Sequence, residues 1–358
     1  MRVLRFALLL PAAVVAAVTA GSATAAQTLQ RPSLAELALA PQFIPDSTLP
    51  TTRARRLLSL GSYWGGRYTT PTGEAVTVYV SDSYPQNPAI AQQWANFLDS
   101  LVHGSELGVV TAYLAPLSEV QSVCGADALG CYSPDQSLLV APGDDPATDT
   151  SAAAVVTHEY GHHVAAHRNN TPWAAVDYGT KRWASYFQVC RRTRAGELFP
   201  GAETLPNYTF NPGEVFAETY RVLNQHKAGI QETPWDVVDE SLYPTAKGLT
   251  LLSEDVTNPW TKPTTTAYRG SLAGRTRSRT YTVSTGLDGT LAVALRASAG
   301  IRLRLGVATS AGASVGSRTI AAGRHSTFRT TICGRRSYRL RVTDLRGAGA
   351  FTLAVSRP

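Results

Sequence analysis

The sequence lacks long apolar runs beyond its first residues, has only four cysteines, and has no lysine from Thr265 onwards. Its one extended apolar run, from Phe6 to Val18, is too short to span a bilayer comfortably. None of the four cysteines belongs to a C-x-x-C pair or a comparable metal spacing. These absences argue against an integral membrane protein and against a metal site built from cysteine thiolates.

The first residues have the pattern of an export signal. Arg2 and Arg5 precede the apolar run, and small residues follow it, with an A-x-A-like end at Ala23 and Ala25. This order predicts a secretory signal peptide over residues 1–25, with an N-terminal membrane anchor as the alternative. We therefore expect an extracellular protein, and the scarcity of lysine beside arginine and alanine suggests a bacterial source with a GC-rich genome.

Four cysteines in an exported chain are compatible with two disulfides. Cys124 and Cys131 enclose a short, turn-rich loop that one bridge could close. Cys190 and Cys333 lie far apart in the sequence. They either pair across two domains or remain free.

The net charge of +7 conceals an asymmetry. From Thr265 to Pro358 there are 16 arginines against two aspartates, a balance of +14, so the preceding residues carry −7. An acidic and a basic part indicate two separate modules. The basic module would suit an anionic surface polymer such as a cell-wall polysaccharide, with nucleic acid less favoured; a merely solvated arginine-rich surface is the alternative.

Hydrophobic patterning divides the chain further. Residues 26–60 have no clear period and read either as a pro-segment or as an extension packed on the next domain. Residues 61–255 alternate between strands and helices, residues 256–267 form a linker rich in proline and threonine, and residues 268–358 contain short alternating runs typical of an all-β sandwich.

Within the middle region, four segments lead up to the helix of most interest. The pattern predicts strands at Ala75–Val80, Gly108–Leu114 and Ser137–Ala141, and a helix from Pro88 to about His103. A second helix then starts at Ser151 and continues to about His167.

That second helix carries the stretch VVTHEYGHHV, residues 155–164. His158 and His162 are four residues apart and lie about 40° apart on one helix face, so both imidazoles can reach one metal ion. Glu159 is displaced by about 100°, where a carboxylate can activate a metal-coordinated water. The H-E-x-x-H pattern is a weak signal alone. His163 and His167 are expected to be exposed, and Glu159 could instead pair with His163.

A tetrahedral site needs a third protein ligand, and a second helix offers one. Asn211 and Pro212 predict the start of this helix, and Glu214 and Glu218 share one of its faces. One carboxylate can bind zinc while the other orients a histidine. Alternatively, Glu214 completes a capping box with Asn211, and Asp177 is a further candidate third ligand.

HEYGHHV, followed some fifty residues later by EVFAETYR, resembles the gluzincin metallopeptidases, and most of all the catalytic domain of the anthrax lethal factor group. The resemblance implies that His158, His162 and Glu214 bind one catalytic Zn²⁺. It also implies that Glu159 is the general base and that Glu218 supports a ligand from behind.

A tyrosine ahead of the glutamate helix contacts the activated water or the oxyanion in that group, and Tyr208 is the matching candidate. The resemblance also implies an α+β zincin-like catalytic domain in which Ser137–Ala141 is an edge strand that pairs with an extended peptide. The stretch CGRRSYRLRVTDLRGAGAFTLAVSRP resembles the bacterial pre-peptidase C-terminal β-sandwich domains. The expected fold is therefore an α+β zincin-like catalytic domain followed by an all-β sandwich domain.

Together these observations predict a secreted zinc endopeptidase that acts on protein or peptide substrates. Two alternatives remain open. One is an exported, non-catalytic binding protein with a structural zinc site. The other is a zinc hydrolase that acts on a non-peptide bond in cell-wall material, because H-E-x-x-H prescribes the metal and the base and not the scissile bond.

Overall fold

The computed structural model describes residues 27–41, 43–231, 235, 237, 240–334 and 336–358. The predicted signal peptide, residues 1–25, lies outside the described residues. Among the helices that are described, none combines the length and the apolar character needed to cross a bilayer.

The first part of the chain builds a six-stranded mixed sheet. Its strands are β1 (Asp46–Thr48), β2 (Tyr63–Thr69), β3 (Ala75–Ser81), β4 (Thr111–Ala115), β5 (Gly130–Ser133) and β6 (Leu138–Pro142). In space they follow the order β1-β5-β6-β4-β3-β2. Strands β3, β4 and β6 run parallel to one another, β2 runs antiparallel to β3, and β5 runs antiparallel to β6 but parallel to β1.

This order corrects one expectation. The strand predicted at Ser137–Ala141 exists as β6, but it lies between β5 and β4 and is not an edge strand. The prediction was wrong because β5 folds back against β6 as a short antiparallel strand. β5 in turn is covered by β1, so the sheet edge on this side belongs to residues from the N-terminal extension.

Nine helices accompany this sheet in the part of the chain that the structure describes, and α2, α3 and α4 pack directly on it. They are α1 (Thr51–Leu60), α2 (Pro88–Ser100), α3 (Leu117–Cys124), α4 (Ala152–Ala166), α5 (Ala175–Tyr178), α6 (Lys181–Tyr186), α7 (Val189–Ala195), α8 (Pro212–Lys227) and α9 (Ala246–Thr257). The chain also forms short 3-10 turns, among them Leu34–Ala38 ahead of α1, Ser105–Val109 and Tyr208–Phe210.

Among the elements that lead up to α4, two boundaries differ from the sequence expectation by three residues. α2 ends at Ser100, before the predicted His103, because Leu101 takes extended backbone and Val102 N–H donates to the Asn224 side chain. β4 begins at Thr111, after the predicted Gly108, because the residues ahead of it form the 3-10 turn.

Helix α4 is the centre of this region. The Ser151 hydroxyl caps it by accepting from Ala154 N–H, and the helix then packs between the sheet and α8. Its residues are buried on every side as far as Ala165. A Cβ at Gly161 would lie 2.9 Å from the Ala217 Cα. Glycine at this position therefore allows α4 and α8 to approach closely and brings their polar side chains together.

A short antiparallel pair, β7 (Asn169–Asn170) and β8 (Trp173–Ala174), follows α4. The C-terminal part is a β-sandwich. Its strands are β9 (Thr264–Leu272), β10 (Ser278–Thr285), β11 (Gly289–Ala297), β12 (Ile301–Thr309), β13 (Ser314–Ile320), β14 (His325–Ile332), β15 (Arg336–Gly347) and β16 (Gly349–Arg357). They form two antiparallel sheets in the orders β10-β15-β12-β13 and β14-β11-β16-β9. Buried and exposed residues alternate along β11, β12 and β16, as a two-sheet core requires.

Between the two parts, the connection is shorter than the predicted linker over residues 256–267. α9 continues to Thr257 and β9 begins at Thr264. The predicted linker was too long because threonine also suits a strand, and the first three residues of β9 are threonines.

Both disulfides form. Cys124 pairs with Cys131 in the short loop before β5, and Cys190 pairs with Cys333. The second bridge joins α7 to the end of β14 across 143 residues of sequence. It therefore ties the sandwich to the helical part, and the alternative of two free thiols is excluded.

Candidate metal centre

Four side chains from three separate segments converge beside α4. Each of Asp46, His158, His162 and Glu214 offers one ligand atom, and these atoms all lie within 4.8 Å of one another. The two histidines come from α4, the glutamate from the first turn of α8, and the aspartate from β1. All four side chains are almost completely shielded from solvent.

The distances between these atoms suit a single ion. His162 Nε2 lies 3.2 Å from His158 Nε2, 3.0 Å from Asp46 Oδ2 and 3.3 Å from Glu214 Oε2. His158 Nε2 lies 3.7 Å and 3.5 Å from the same two carboxylate oxygens. Four ligands at roughly 2.0–2.2 Å from a tetrahedral ion are about 3.3–3.6 Å apart. The cluster therefore has the size of a tetrahedral metal site.

The histidine tautomer also fits a metal. Glu218 Oε1 lies 3.0 Å from His158 Nδ1, so that a proton on Nδ1 is donated to the carboxylate and the Nε2 lone pair faces the cluster. The other histidine directs its Nε2 to the same point. Two nitrogens and two carboxylate oxygens form a donor set that zinc accepts, although other divalent ions accept it as well.

Electrostatics indicate a strong demand for positive charge at this point. Burial alone would lower the pKa of His162, but the charges of Glu214 and Asp46 raise it to about 10. Burial would likewise raise the pKa of Asp46, but His162 and His158 hold it well below its ordinary value. A divalent cation would supply the charge that the two buried carboxylates require.

Glu218 holds the first histidine from behind. Its Oε1 accepts from Ile44 N–H at 3.0 Å as well as facing His158, and its Oε2 accepts from Arg221 Nε at 2.6 Å. The carboxylate is fully buried. A carboxylate in this position can orient the ring of His158.

The capping-box alternative for Glu214 does not form. Asn211 caps α8 by accepting from Gly213 N–H, and Asn211 N–H donates to Tyr208 O. Glu214 Oε1 instead accepts from the Asn211 side chain at 3.2 Å, which leaves Oε2 directed at the histidines. Asp177 lines the cleft beside the cluster but contributes no atom to it.

Tyr208 lies against the carboxylates. Its hydroxyl is 2.7 Å from Asp46 Oδ1 and 3.2 Å from Glu214 Oε2, and it accepts from Asp46 N–H at 3.1 Å. The side chain is buried. A hydroxyl in this position can donate to an oxygen atom close to the metal position.

Glu159 differs from every other acid in the centre. It is completely buried, and neither of its carboxylate oxygens has a hydrogen-bond partner within the described ranges. Burial, followed by the charge of Asp46, raises its pKa well above the ordinary value. A Cβ at Gly130 of β5 would collide with its Oε1, so glycine leaves the room that this carboxylate occupies. An unpartnered buried acid is costly, which makes Glu159 a candidate functional residue.

The expectation for His163 was wrong. This histidine is fully buried, with Nε2 at 2.9 Å from Glu106 O and Nδ1 at 3.0 Å from the Tyr132 hydroxyl. Burial lowers its pKa to about 3. Because α4 is packed on all sides, the face opposite the metal is also interior. His167, one turn later, is exposed as predicted.

Asp46 is the residue that sequence reasoning missed. It stands in IPDSTLP, between two prolines, in a region without a helical or strand period. No spacing relates it to the histidines more than a hundred residues later. Only the pairing of β1 with β5 brings it to the centre.

Comparison with known proteins gives limited guidance. No known protein family and no curated protein matches the chain. Among solved structures, the pre-peptidase C-terminal domain of a collagenase from Bacillus anthracis is similar with a TM-score of 0.22 and 19% identity, over 25% of this chain and 87% of that one. The g-type lysozyme inhibitor PliG from Aeromonas hydrophila is similar with a TM-score of 0.21 and 17% identity, over 26% and 84%.

A third similar structure, a mitogen derived from Yersinia pseudotuberculosis, has a TM-score of 0.21 and 12% identity, over 27% of this chain and 87% of that one. Each similarity covers about a quarter of the chain. A pre-peptidase C-terminal domain is thus among the structural neighbours of the C-terminal part.

Proposed function

We propose that the protein is a secreted zinc endopeptidase. The observation that carries this proposal is Glu159, a buried carboxylate without a hydrogen-bond partner among the described residues, next to a cluster that could hold a metal ion. A site that only stabilises the fold has no use for such an acid. A site that activates water needs a base in this place.

His158, His162 and Glu214 would hold the ion, which when bound supplies Lewis-acid chemistry for activating water and a peptide carbonyl. Glu159 accepts a proton from the attacking water and passes it to the leaving amine. Burial, followed by the charge of Asp46, raises the pKa of Glu159, and a cation bound beside it would favour the ionised carboxylate that the first transfer requires. Glu218 fixes the ring of His158 through the contact at Nδ1.

Tyr208 would stabilise the negative charge that develops on the carbonyl oxygen. Its hydroxyl already lies within hydrogen-bond distance of a carboxylate oxygen in the cluster. Donors fixed in advance at a buried position stabilise such charge strongly, because they need no reorganisation during the reaction. The resemblance of α4 and α8 to the paired helices of the gluzincins supports the same assignment.

A second candidate function rests on a specific observation. Structural zinc sites are closed by four protein ligands, and four side chains converge here. An exported binding protein with a structural zinc site would have this ligand set. It would not need Glu159, so the two functions differ in what that residue does.

The C-terminal sandwich would hold the protein on an anionic surface polymer. Arg304, Arg339 and Arg341 line one shallow depression on the β10-β15-β12-β13 sheet, and the register of β12 with β15 places all three on the same face. No carboxylate lines this depression within the described residues. The concentration of positive charge supports a polyanionic partner.

The test of the peptidase is digestion of casein by the purified mature chain beside Glu159→Gln, with the zinc content of both measured. Asp46→Ala is also introduced into both the wild type and Glu159→Gln, which gives four proteins, because the Asp46 side chain fills the fourth ligand position. We expect all four proteins to hold one zinc ion. Glu159→Gln should lower the rate of casein cleavage by about 10²–10⁴-fold.

Retention of zinc without any Glu159-dependent cleavage in either background would favour the structural site. Cleavage of purified cell walls, but of no polypeptide, would instead assign the centre to a non-peptide bond. Absence of zinc from all four proteins would overturn both the zinc peptidase and the structural zinc site.

A further inference from the structure

The position of the N-terminal extension carries a further inference, which rests on the proposed peptidase function. We propose that residues 44–48 occupy the groove in which an extended peptide substrate binds, and that Asp46 closes the metal centre there. The chain in this conformation is then a latent precursor. Displacement of the segment opens both the ion and the groove.

The first support is the ligand set. Catalytic zinc sites keep three protein ligands and leave the fourth position to water or substrate. Here Asp46 Oδ2 fills that position, at 3.0 Å from His162 Nε2 and with its side chain only 4% exposed. A peptidase with this carboxylate in place has no position for the attacking water.

The second support is the strand pairing. β1 runs along β5 in register, with Asp46 opposite Gly130 and Thr48 opposite Tyr132. Flanking bonds extend the pairing, because Leu129 N–H donates to Pro45 O at 2.8 Å and Leu49 N–H donates to Tyr132 O at 2.9 Å. The segment therefore makes the main-chain contacts that an added peptide strand makes with a sheet edge.

Without β1, the exposed edge would be β5, the strand that lies directly over Glu159. A peptide bound along this edge would pass the metal position and the base together. The strand expected to bind substrate was β6, but the sheet order gives that role to β5. Asp46 then stands where a scissile bond would lie.

The third support is that the segment forms hydrogen bonds with residues to which we assign roles in catalysis. Glu218 accepts a hydrogen bond from Ile44 N–H, and the Tyr208 hydroxyl contacts both Ile44 O at 2.9 Å and the Asp46 carboxylate. These contacts hold the segment in place. They also engage the hydroxyl that we assign to oxyanion stabilisation.

The fourth support is how the segment is attached. The sequence has no cysteine before Cys124, and both disulfides join later residues, so that packing and hydrogen bonds alone hold residues 27–48. Immediately after β1, helix α1 presents exposed Arg55 and Arg56. One cut at these arginines would leave the segment with no covalent link to the metal centre.

The experiment uses the chain that begins after the predicted signal peptide and keeps Asp46. It compares the wild type with Asp46→Ala and with a matched control, Asp127→Ala, which removes an exposed carboxylate from the disulfide loop. Acetohydroxamate is the probe for an open metal position, and the visible spectrum of the Co²⁺-substituted chain reports the ligand set. We expect Asp46→Ala to retain one ion, to change the Co²⁺ spectrum, and to bind acetohydroxamate about tenfold or more tightly, because the competing ligand is gone. Casein digestion should rise in parallel, and Asp127→Ala should match the wild type.

Loss of the ion from Asp46→Ala would overturn the proposal, because Asp46 would then be a permanent ligand. Unchanged acetohydroxamate binding would also overturn it. Tighter acetohydroxamate binding without casein cleavage supports closure of the centre by Asp46 and counts against the peptidase. Equal, Glu159-dependent digestion by the wild type and Asp46→Ala supports the peptidase and overturns latency.

Limited digestion of the wild-type chain by trypsin tests the same point without a substitution in the core. The cut at Arg55 or Arg56 is located by mass, and trypsin is then inhibited. We expect cleaved and separated chain to gain acetohydroxamate binding. Release of the segment without that gain would overturn the proposal.

Discussion

The two parts of the molecule fill their interiors in different ways. The sandwich has a core of leucine, valine, isoleucine and aromatic side chains, and charged groups lie mostly on its outer faces. Around the metal centre, the helical part buries two histidines, three glutamates and an arginine: His158, His162, Glu159, Glu214, Glu218 and Arg221. Burying charge is costly unless it is paired. The concentration of that cost in one part distinguishes a functional interior from a structural one.

The largest effect should come from the structural interior. Leu305 is fully buried between the two sheets of the sandwich. Leu305→Ala removes apolar contacts and leaves a cavity, so we expect the free energy of unfolding to fall by about 2–5 kcal/mol. Urea denaturation measures the loss.

The comparison predicts that the zinc affinity of Leu305→Ala stays unchanged, because the leucine belongs to a core separate from the metal centre. Zinc titration of the folded variant provides the control. A loss of zinc affinity would show that the two interiors are energetically coupled, and the distinction drawn between them would fail.

The helical spacing made part of the metal centre predictable. His158 and His162 must share a face because they lie one turn apart, and Glu214 and Glu218 must do so for the same reason. These are local consequences of helix geometry. The structure adds that glycine at 161 lets the two helices approach.

Other features depended on long-range packing, which no local pattern encodes. Asp46 reaches the centre through a strand of three residues, too short for a period of two to be visible. β6 is interior because β5 pairs with it on one side and β4 on the other. His163 is buried because α4 is covered on all sides, whereas the prediction assumed one exposed face.

An intermediate effect should come from the functional interior. Glu218 is as completely buried as Leu305, but it orients a histidine and does not fill space. We expect Glu218→Gln to weaken zinc binding by about 10–100-fold, the range typical of partners behind a metal ligand. Competition with a chromophoric chelator measures the change.

Glu254→Gln is the control for Glu218→Gln, because Glu254 pairs with Arg182 on α6, has a side chain that is 43% exposed, and lies outside the metal cluster. Its zinc affinity should equal that of the wild type. If Glu218→Gln binds zinc as tightly as this control, the carboxylate behind His158 only fills space, and the contrast between the two interiors would weaken.

The smallest effect on stability should come from the basic face of the sandwich. Replacing Arg304 and Arg341 with glutamine removes exposed charges, so we expect the free energy of unfolding to change by no more than about 0.5 kcal/mol. Binding to an immobilised polyanion such as heparin should nevertheless weaken, because each arginine lines the same depression. The salt concentration that elutes the protein from immobilised heparin measures the strength of binding.

The matched control replaces Arg296 and Arg329, which are exposed arginines of the opposite sheet. Equal loss of heparin binding in both pairs would show that net charge, not this face, determines binding.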